Sequence, residues 1–364
     1  MTILIFIIVL AVLILVHEFG HFLAAKKSGV RVDEFGIGFP PRLLTLFKWK
    51  ETKFSLNAIP FGGFVKIFGE NPEENDANLN PAEKAIHFTH KSKPIQAFIL
   101  SAGILFNIIF AWLLISLGFV YGLPMPQEEG GRSVENARLI VTSVLENSPA
   151  EEAGLKTGDA ILSVKTSEST LSEISPEPVS LFINESQGPV VLTVDRGGEI
   201  ETKEVVPTTG VVEDRRAIGI SMATIGTLKL PIHLAFWEAG KMTLTLLWAI
   251  AVGILTFLGQ VITGQADFSQ VAGPVGIVGL VGDATKLGFI YLIQFTAFIS
   301  LNLAVINLFP FPALDGGRLL FVLIESIKGS AINPKIANTL NAVGFILLLL
   351  LMVIITISDI SKFF

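Results

Sequence analysis

His17-Glu18-Phe19-Gly20-His21 sets two imidazoles four residues apart with a carboxylate beside the first. On a helix, that spacing puts both rings on one face, one turn apart, so two ligands for a metal ion are preset. Glu18 then lies where it can take a proton from a water whose pKa a bound zinc has lowered toward roughly 7, and pass it to a leaving amine. A catalytic zinc needs a third protein ligand and an open position. The chain has no Cys, so the third ligand must be His or a carboxylate. Asp315 is the candidate, in the run NLFPFPALDGG from Asn307 to Gly317. A set of two His and one Asp suits zinc, and other divalent ions bind such sites as well.

The pattern H-E-x-x-H alone is a weak signal, but here it interrupts an apolar run. Ionisable groups inside a membrane span are costly to insert and functional by default. A packed core histidine does not account for three of them within five residues.

The elements that must position these residues are read from composition. Of 364 residues, 51% belong to the hydrophobic set and 16% are charged, with a mean hydropathy of +0.65, which is the profile of a membrane protein. Residues 3–25 are long enough to cross about 30 Å of hydrocarbon as a helix. Lys26 and Lys27 follow that run instead of preceding it, which argues against a cleaved signal peptide. Further apolar runs occupy 95–120, 235–262, 289–312 and 339–358. Residues 26–94 are net basic, with Lys26, Lys27, Arg31, Lys91 and Lys93 near the ends, and read as cytoplasmic. Residues 121–234 are acid-rich and read as a soluble insert on the outer side. The net charge of -6 gives no affinity for nucleic acid.

The direction of the helices constrains the expected topology. The two motifs sit at the C-terminal ends of their helices, so they meet at one metal only if 3–25 and 289–312 run in the same direction. An odd number of crossings must separate them, and 95–120 supplies one. Residues 235–262 are therefore expected to lie at the outer interface, with Trp237, Glu238 and Lys241 at their start, although 244–258 is uniformly apolar. Arg318, Lys328 and Lys335 make the segment after Asp315 basic and thus cytoplasmic. Pro310 and Pro312 end the 289–312 helix, and the freed backbone groups are tolerated at membrane depth only in a cavity or buried in protein.

Within the insert, residues 127–210 resemble a PDZ domain, carried by SPAEEAGLKTGDAILSV at 148–164 and by the Arg196-Gly197-Gly198 turn. The pairing of H-E-x-x-H with N-x-x-P-x-P-x-L-D-G resembles the site-2 protease family of intramembrane zinc metalloproteases. Gly36-Ile37-Gly38-Phe39-Pro40, Gly62-Gly63-Phe64-Val65-Lys66 and Gly273-Pro274-Val275-Gly276-Ile277 extend the likeness over nearly the whole chain. It is strongest to the bacterial regulator-of-sigma-E branch, whose best-known member carries two tandem PDZ domains where this chain has one.

The resemblance implies an α-helical polytopic membrane protein with four transmembrane helices, a membrane-associated β-hairpin and an inserted α+β PDZ domain. The expected parts are 1–120 (spans 3–25 and 95–120 around loop 26–94), the PDZ domain at 127–210, a linker and interfacial region at 211–288, and 289–364 (spans 289–312 and 339–358). It also implies one Zn2+ per chain on His17, His21 and Asp315, with Glu18 as general base. Asn302 and Asn307 match polar positions that hold the substrate backbone or a developing oxyanion; for Asn302, interhelical bonding is an equal reading. Gly62 and Gly63 centre a hairpin, Leu56–Phe68, to which an unfolded substrate adds as a strand.

The implied substrates are single-span membrane proteins of the anti-sigma-factor or signal-peptide-remnant class, cut within the lipid bilayer. The implied place is a bacterial cytoplasmic (inner) membrane, with the active site near the cytoplasmic side and the PDZ domain outside, engaging a peptide or substrate ectodomain. Two other classes fit less well. A zinc transporter needs a series of polar sites along a path, and there is one constellation; a silent PDZ scaffold need not retain Glu18 and three ligands. His87, His90 and His233 read as surface residues, and Gly103 and Asn107 as close-packing positions between spans.

Overall fold

The computed structural model describes residues 1–70, 79–127, 134–145, 147–212, 215–266 and 271–361. The elements in chain order begin with helix α1 (Thr2–Lys27), strands β1 (Val32–Trp49) and β2 (Thr52–Ile67), and helices α2 (Pro81–Ile86) and α3 (Lys93–Tyr121). There follow β3 (Leu123–Pro126), β4 (Glu135–Val144), α4 (Pro149–Glu152), β5 (Ala160–Lys165), α5 (Pro176–Glu185), β6 (Val190–Arg196) and β7 (Glu199–Val205). The remainder is β8 (Thr208–Val212), β9 (Arg215–Ala217), β10 (Ile220–Leu228), α6 (Ile232–Thr263), α7 (Pro274–Leu287), α8 (Phe289–Leu308), α9 (Asp315–Lys328) and α10 (Pro334–Ser361). Contacts divide the chain into two units: residues 1–116, 236–285 and 292–364, and residues 117–235 with 286–291. Helices α1, α3, α6, α8 and α10 are long and apolar enough to cross a membrane, by length and composition. Together with the β-sheets, this is the make-up of a polytopic membrane protein with a β-rich unit.

In the first unit, α1 and α3 run antiparallel at close range. A Cβ on Gly20 would sit 2.8 Å from the carbonyl carbon of Ala102 and 3.0 Å from Cα of Gly103, so only glycine permits the approach. Phe22, Ala25, Ile99, Leu100 and Ala102 from these helices share a buried core with Val32, Phe35 and Ile67 of the hairpin.

β1 and β2 each bend and double back. Phe35 pairs with both Val65 and Phe54, and Phe54 pairs again with Phe47, so the hairpin forms four rungs in the order 63–67, 32–37, 52–57, 44–49. The Pro40–Pro41 bond in the bend is cis. Just beyond it, Arg42 donates to the Glu34 carboxylate at 2.5 and 3.0 Å, and Ser55 Oγ donates to it at 2.6 Å, tying the curl together. The 44–49 rung, at the edge opposite 63–67, leaves Leu44, Leu46, Phe47 and Trp49 exposed.

At the far end of this unit, α7 lies against the first residue of α1, Thr2, beside Gly282. The Gly276 N–H donates to the Asp359 carboxylate near the end of α10 at 2.7 Å. Helix α8 ends at Leu308, four residues before the expected 312, because Pro310 and Pro312 cannot continue it. One surface expectation is corrected: His87 is 1% exposed, with Nδ1 2.8 Å from Thr89 Oγ1 and its ring edge-on to Phe68.

The second unit carries a six-stranded sheet in the order β3-β10-β4-β5-β6-β7, with every pair antiparallel. Alternation builds it: Val190, Leu192 and Val194 of β6 are buried, with Val191 and Thr193 less so between them. They pack with Leu139, Val141, Ile161 and Val164, and with Val179 and Ile183 of α5. Ser148 caps α4 by accepting from the Glu151 N–H, and the Arg196–Gly198 turn joins β6 to β7 as its Gly-Gly composition predicts. Asp159 is 1% exposed and takes two bonds of 2.7 Å from Arg196. The sheet also draws on 123–126 and 220–228, beyond the 127–210 range expected from the sequence.

Candidate metal centre

His17 and His21 lie side by side in the C-terminal half of α1, an arrangement set by the helix itself. The third group arrives from far along the chain. After α8, the backbone turns through 309–314 with Ala313 at a φ of 76°, and the Ala313 N–H donates to Asn341 Oδ1 on α10 at 3.2 Å. Helix α9 then begins tucked beneath this turn: a Cβ on Gly317 would lie 2.7 Å from the Phe311 carbonyl carbon, and one on Gly316 would collide with the carbonyls of Leu308 and Phe309. The two glycines thereby let Asp315 reach α1.

Three ligand atoms converge. His17 Nε2 lies 2.9 Å from Asp315 Oδ2, His21 Nε2 lies 3.2 Å from the same oxygen, and the two Nε2 atoms are 3.2 Å apart. The donor atoms of the three residues all fall within 4.8 Å of one another, the span of one metal ion's ligand sphere. Burial alone would raise the Asp315 carboxyl; with the imidazoles of His17 and His21 in their protonated, metal-free form, their hydrogen bonds and charge outweigh it and hold the group well below the usual carboxylate range.

The outer shell comes from α3. His21 Nδ1 donates to the Ile99 carbonyl at 2.8 Å, which fixes the tautomer whose Nε2 lone pair faces the cluster. Asn107 Nδ2 lies 3.3 Å from His17 Nδ1. A Cβ on Gly103 would sit 2.8 Å from His17 Nε2 and would collide with His21 Nε2, so α3 presses directly on both rings. Two imidazoles and one carboxylate, with the His21 proton directed away to the Ile99 carbonyl, fit the donor set of a catalytic zinc that keeps an open position.

Glu18 follows His17 and faces the Val65 backbone in the 63–67 rung. Gly63 stands on the same rung, where a Cβ would come 3.8 Å from Glu18 Cγ. Gly62, at φ 119°, has Phe39 packed where its side chain would be. The expected asparagines fall on the last turns of α8, both half-buried. Asn302 donates to its own helix at the Phe298 carbonyl, 2.9 Å away. Among the described residues, neither Asn302 nor Asn307 hydrogen-bonds to His17, Glu18, His21 or Asp315. Asn107, read from sequence as a packing residue, is the asparagine in contact with the cluster.

Comparison with known proteins agrees with this geometry. The model of peptidase family M50 matches residues 5–351. A Clostridium acetobutylicum protein, named provisionally as a zinc metalloprotease, is 34% identical over 99% of this chain and 97% of its own length. The regulator of sigma-W protease RasP of Bacillus subtilis is 29% identical over 100% of this chain and 99% of its own. The zinc metalloprotease RasP of Shouchella clausii matches at the same identity and coverage.

Proposed function

The chain belongs to peptidase family M50, the site-2 type of zinc metalloprotease, and on that premise we propose that it is an endopeptidase cutting single-span membrane proteins within their transmembrane segments. The observation that carries this reading is the convergence of His17, His21 and Asp315 beside Glu18 on a helix apolar enough to span a bilayer. His17, His21 and Asp315 would hold one zinc, which when bound activates a water and polarises the scissile carbonyl. Glu18, one residue from the first ligand, accepts the proton of the attacking water and returns it to the departing amine.

The substrate must present an extended backbone, since a helix hides its peptide bonds. The 63–67 rung is the outer edge of the curled hairpin and runs past Glu18, so a strand added there would carry its peptide bonds to the cluster. Gly63 adds no side chain where the rung passes Glu18, and Gly62 makes room for the Phe39 ring beside it. Asn302 and Asn307 would engage the substrate beyond this point. Substrates of the anti-sigma-factor or signal-peptide-remnant class suit such a site, after another protease has removed their outer portion.

Four crossings, by α1, α3, α8 and α10, suit the placement of α7. It lies against Thr2, the start of α1, and against Asp359, near the end of α10. Those ends share one face of the membrane, the face α8 leaves from. Helix α6 leaves α3 at Trp112, which donates to the Phe236 carbonyl at 2.9 Å, and only nine residues separate its end from the Gly273 beside Asp359. An α6 that lies at the outer interface satisfies both anchors. The β-rich unit, as a PDZ-type domain on the outer side of a bacterial cytoplasmic membrane, would take a peptide or screen an ectodomain in the groove between α5 and the first half of β10, lined by Ile183, Arg216, Gly219, Ile220 and Met222.

The reading is tested by reconstituting the protein in liposomes with a tagged single-span substrate and mapping the cut by mass spectrometry. Cleavage inside the apolar segment is expected. Cleavage confined to a soluble portion would remove the intramembrane assignment.

A further inference from the structure

We propose that Asn107 is a positioning residue for zinc ligand His17, its amide choosing which ring nitrogen of His17 is free for the metal. The proposal rests on the assignment of His17, His21 and Asp315 as ligands. An imidazole that binds a metal through Nε2 must carry its proton on Nδ1, and that proton needs an acceptor. For His21 the acceptor is the Ile99 carbonyl on α3. For His17 the facing group is the Asn107 amide, one turn back along α1 and two turns further along α3.

Asn107 is fully buried, and among the described residues its Oδ1 has no hydrogen-bond partner. A buried amide oxygen left unpaired is destabilising, so the arrangement asks for a reason. A half-turn about the Cβ–Cγ bond exchanges Oδ1 for Nδ2 in the same space. Facing His17 with Nδ2, the amide suits a ring protonated on Nε2, which donates to Asp315 Oδ2 at 2.9 Å. Facing it with Oδ1, the amide accepts from Nδ1–H and leaves the Nε2 lone pair for the metal. An aspartate would serve only the second state, and an apolar residue neither.

The amide is placed for this. The Asn107 backbone carbonyl accepts from Ser300 Oγ of α8 at 2.8 Å, in a fully buried bond. Gly103, one turn earlier on α3, lets the helix come close enough for contact with both rings. Helix α8, which leads to Asp315, is thereby joined through Asn107 to His17, so the ligand from the distant segment and the ligands of α1 share one frame.

The test measures zinc affinity of the full-length protein in detergent, by competition with a chromophoric chelator, for wild type, Asn107→Leu, Asn107→Asp and His17→Ala. The thermal midpoint of each metal-stripped protein and the nitrogen NMR signals of labelled histidine accompany it. Asn107→Leu is expected to weaken zinc binding by about 10- to 100-fold. Asn107→Asp should stay near wild type, with an Nδ1–H signal for His17 in both. Zinc binding by Asn107→Leu as tight as wild type would overturn the proposal, as would an equal loss in Asn107→Asp, which would mean that shape alone matters. Should Asn107→Leu not fold, the NMR signal decides: a zinc-loaded wild type without His17 Nδ1–H contradicts the role. Wild-type zinc affinity in His17→Ala would overturn the ligand assignment itself.

Discussion

Glu18 and the three converging residues divide two tasks between them, holding the metal and moving the proton. Glu18→Gln removes a proton acceptor while leaving shape and ligands intact, so cleavage should fall by about 10²- to 10⁴-fold with the zinc content unchanged, as read by turnover and metal analysis. Gly103→Ala tests the other task. Its methyl would enter the space of both imidazoles, and the variant should bind zinc more weakly than wild type while its β-rich unit melts as before. The two histidines and Glu18 were legible in the sequence because helical spacing alone brings them together. Asp315 was legible only through its paired motif. Asn107 was not, since its partner lies 90 residues away and an asparagine in a span reads equally as packing. Asn302 makes one amide bond within its own helix, to the Phe298 carbonyl.

Among the elements, the ion pair between Arg318 and Glu70 ties the start of α9, and with it Asp315, to the end of β2. Arg318→Met and Glu70→Gln should each lower activity. In a double-mutant cycle the losses should fail to add, by about 0.5–3 kcal/mol, while strictly additive losses would mean that the two elements are positioned independently. In the β-rich unit, Arg196→Met would leave Asp159 buried without its cation. The expected destabilisation is about 2 kcal/mol, below the 3–5 of a fully buried pair because Arg196 is part-exposed, measured as faster local hydrogen exchange with zinc content unchanged. The short strands and the capped α4 followed from alternation and capping signals within a few residues. The four-rung curl of the hairpin and the sheet positions of β3 and β10 did not, because the register between distant segments leaves no local trace.

For the whole molecule, the membrane character was plain from composition, but the number of crossings is a global property that hydropathy alone leaves open, as the apolar stretch of α6 illustrates. The native chain has no Cys, so single cysteines report topology directly. Glu199→Cys and Gln265→Cys should be labelled from the same, outer face by an impermeant maleimide, and Ser330→Cys only after the membrane is opened. Labelling of Gln265→Cys with Ser330→Cys would mean that α6 crosses. The most direct measurement of the central claim is cleavage of a tagged single-span substrate by purified wild type, Glu18→Gln and Asp315→Ala, with bound zinc counted in each. Wild type should cut, Glu18→Gln should keep its zinc while cutting at least about 10²-fold more slowly, and Asp315→Ala should lose both zinc and activity; Glu18→Gln cutting as fast as wild type would contradict the assigned roles.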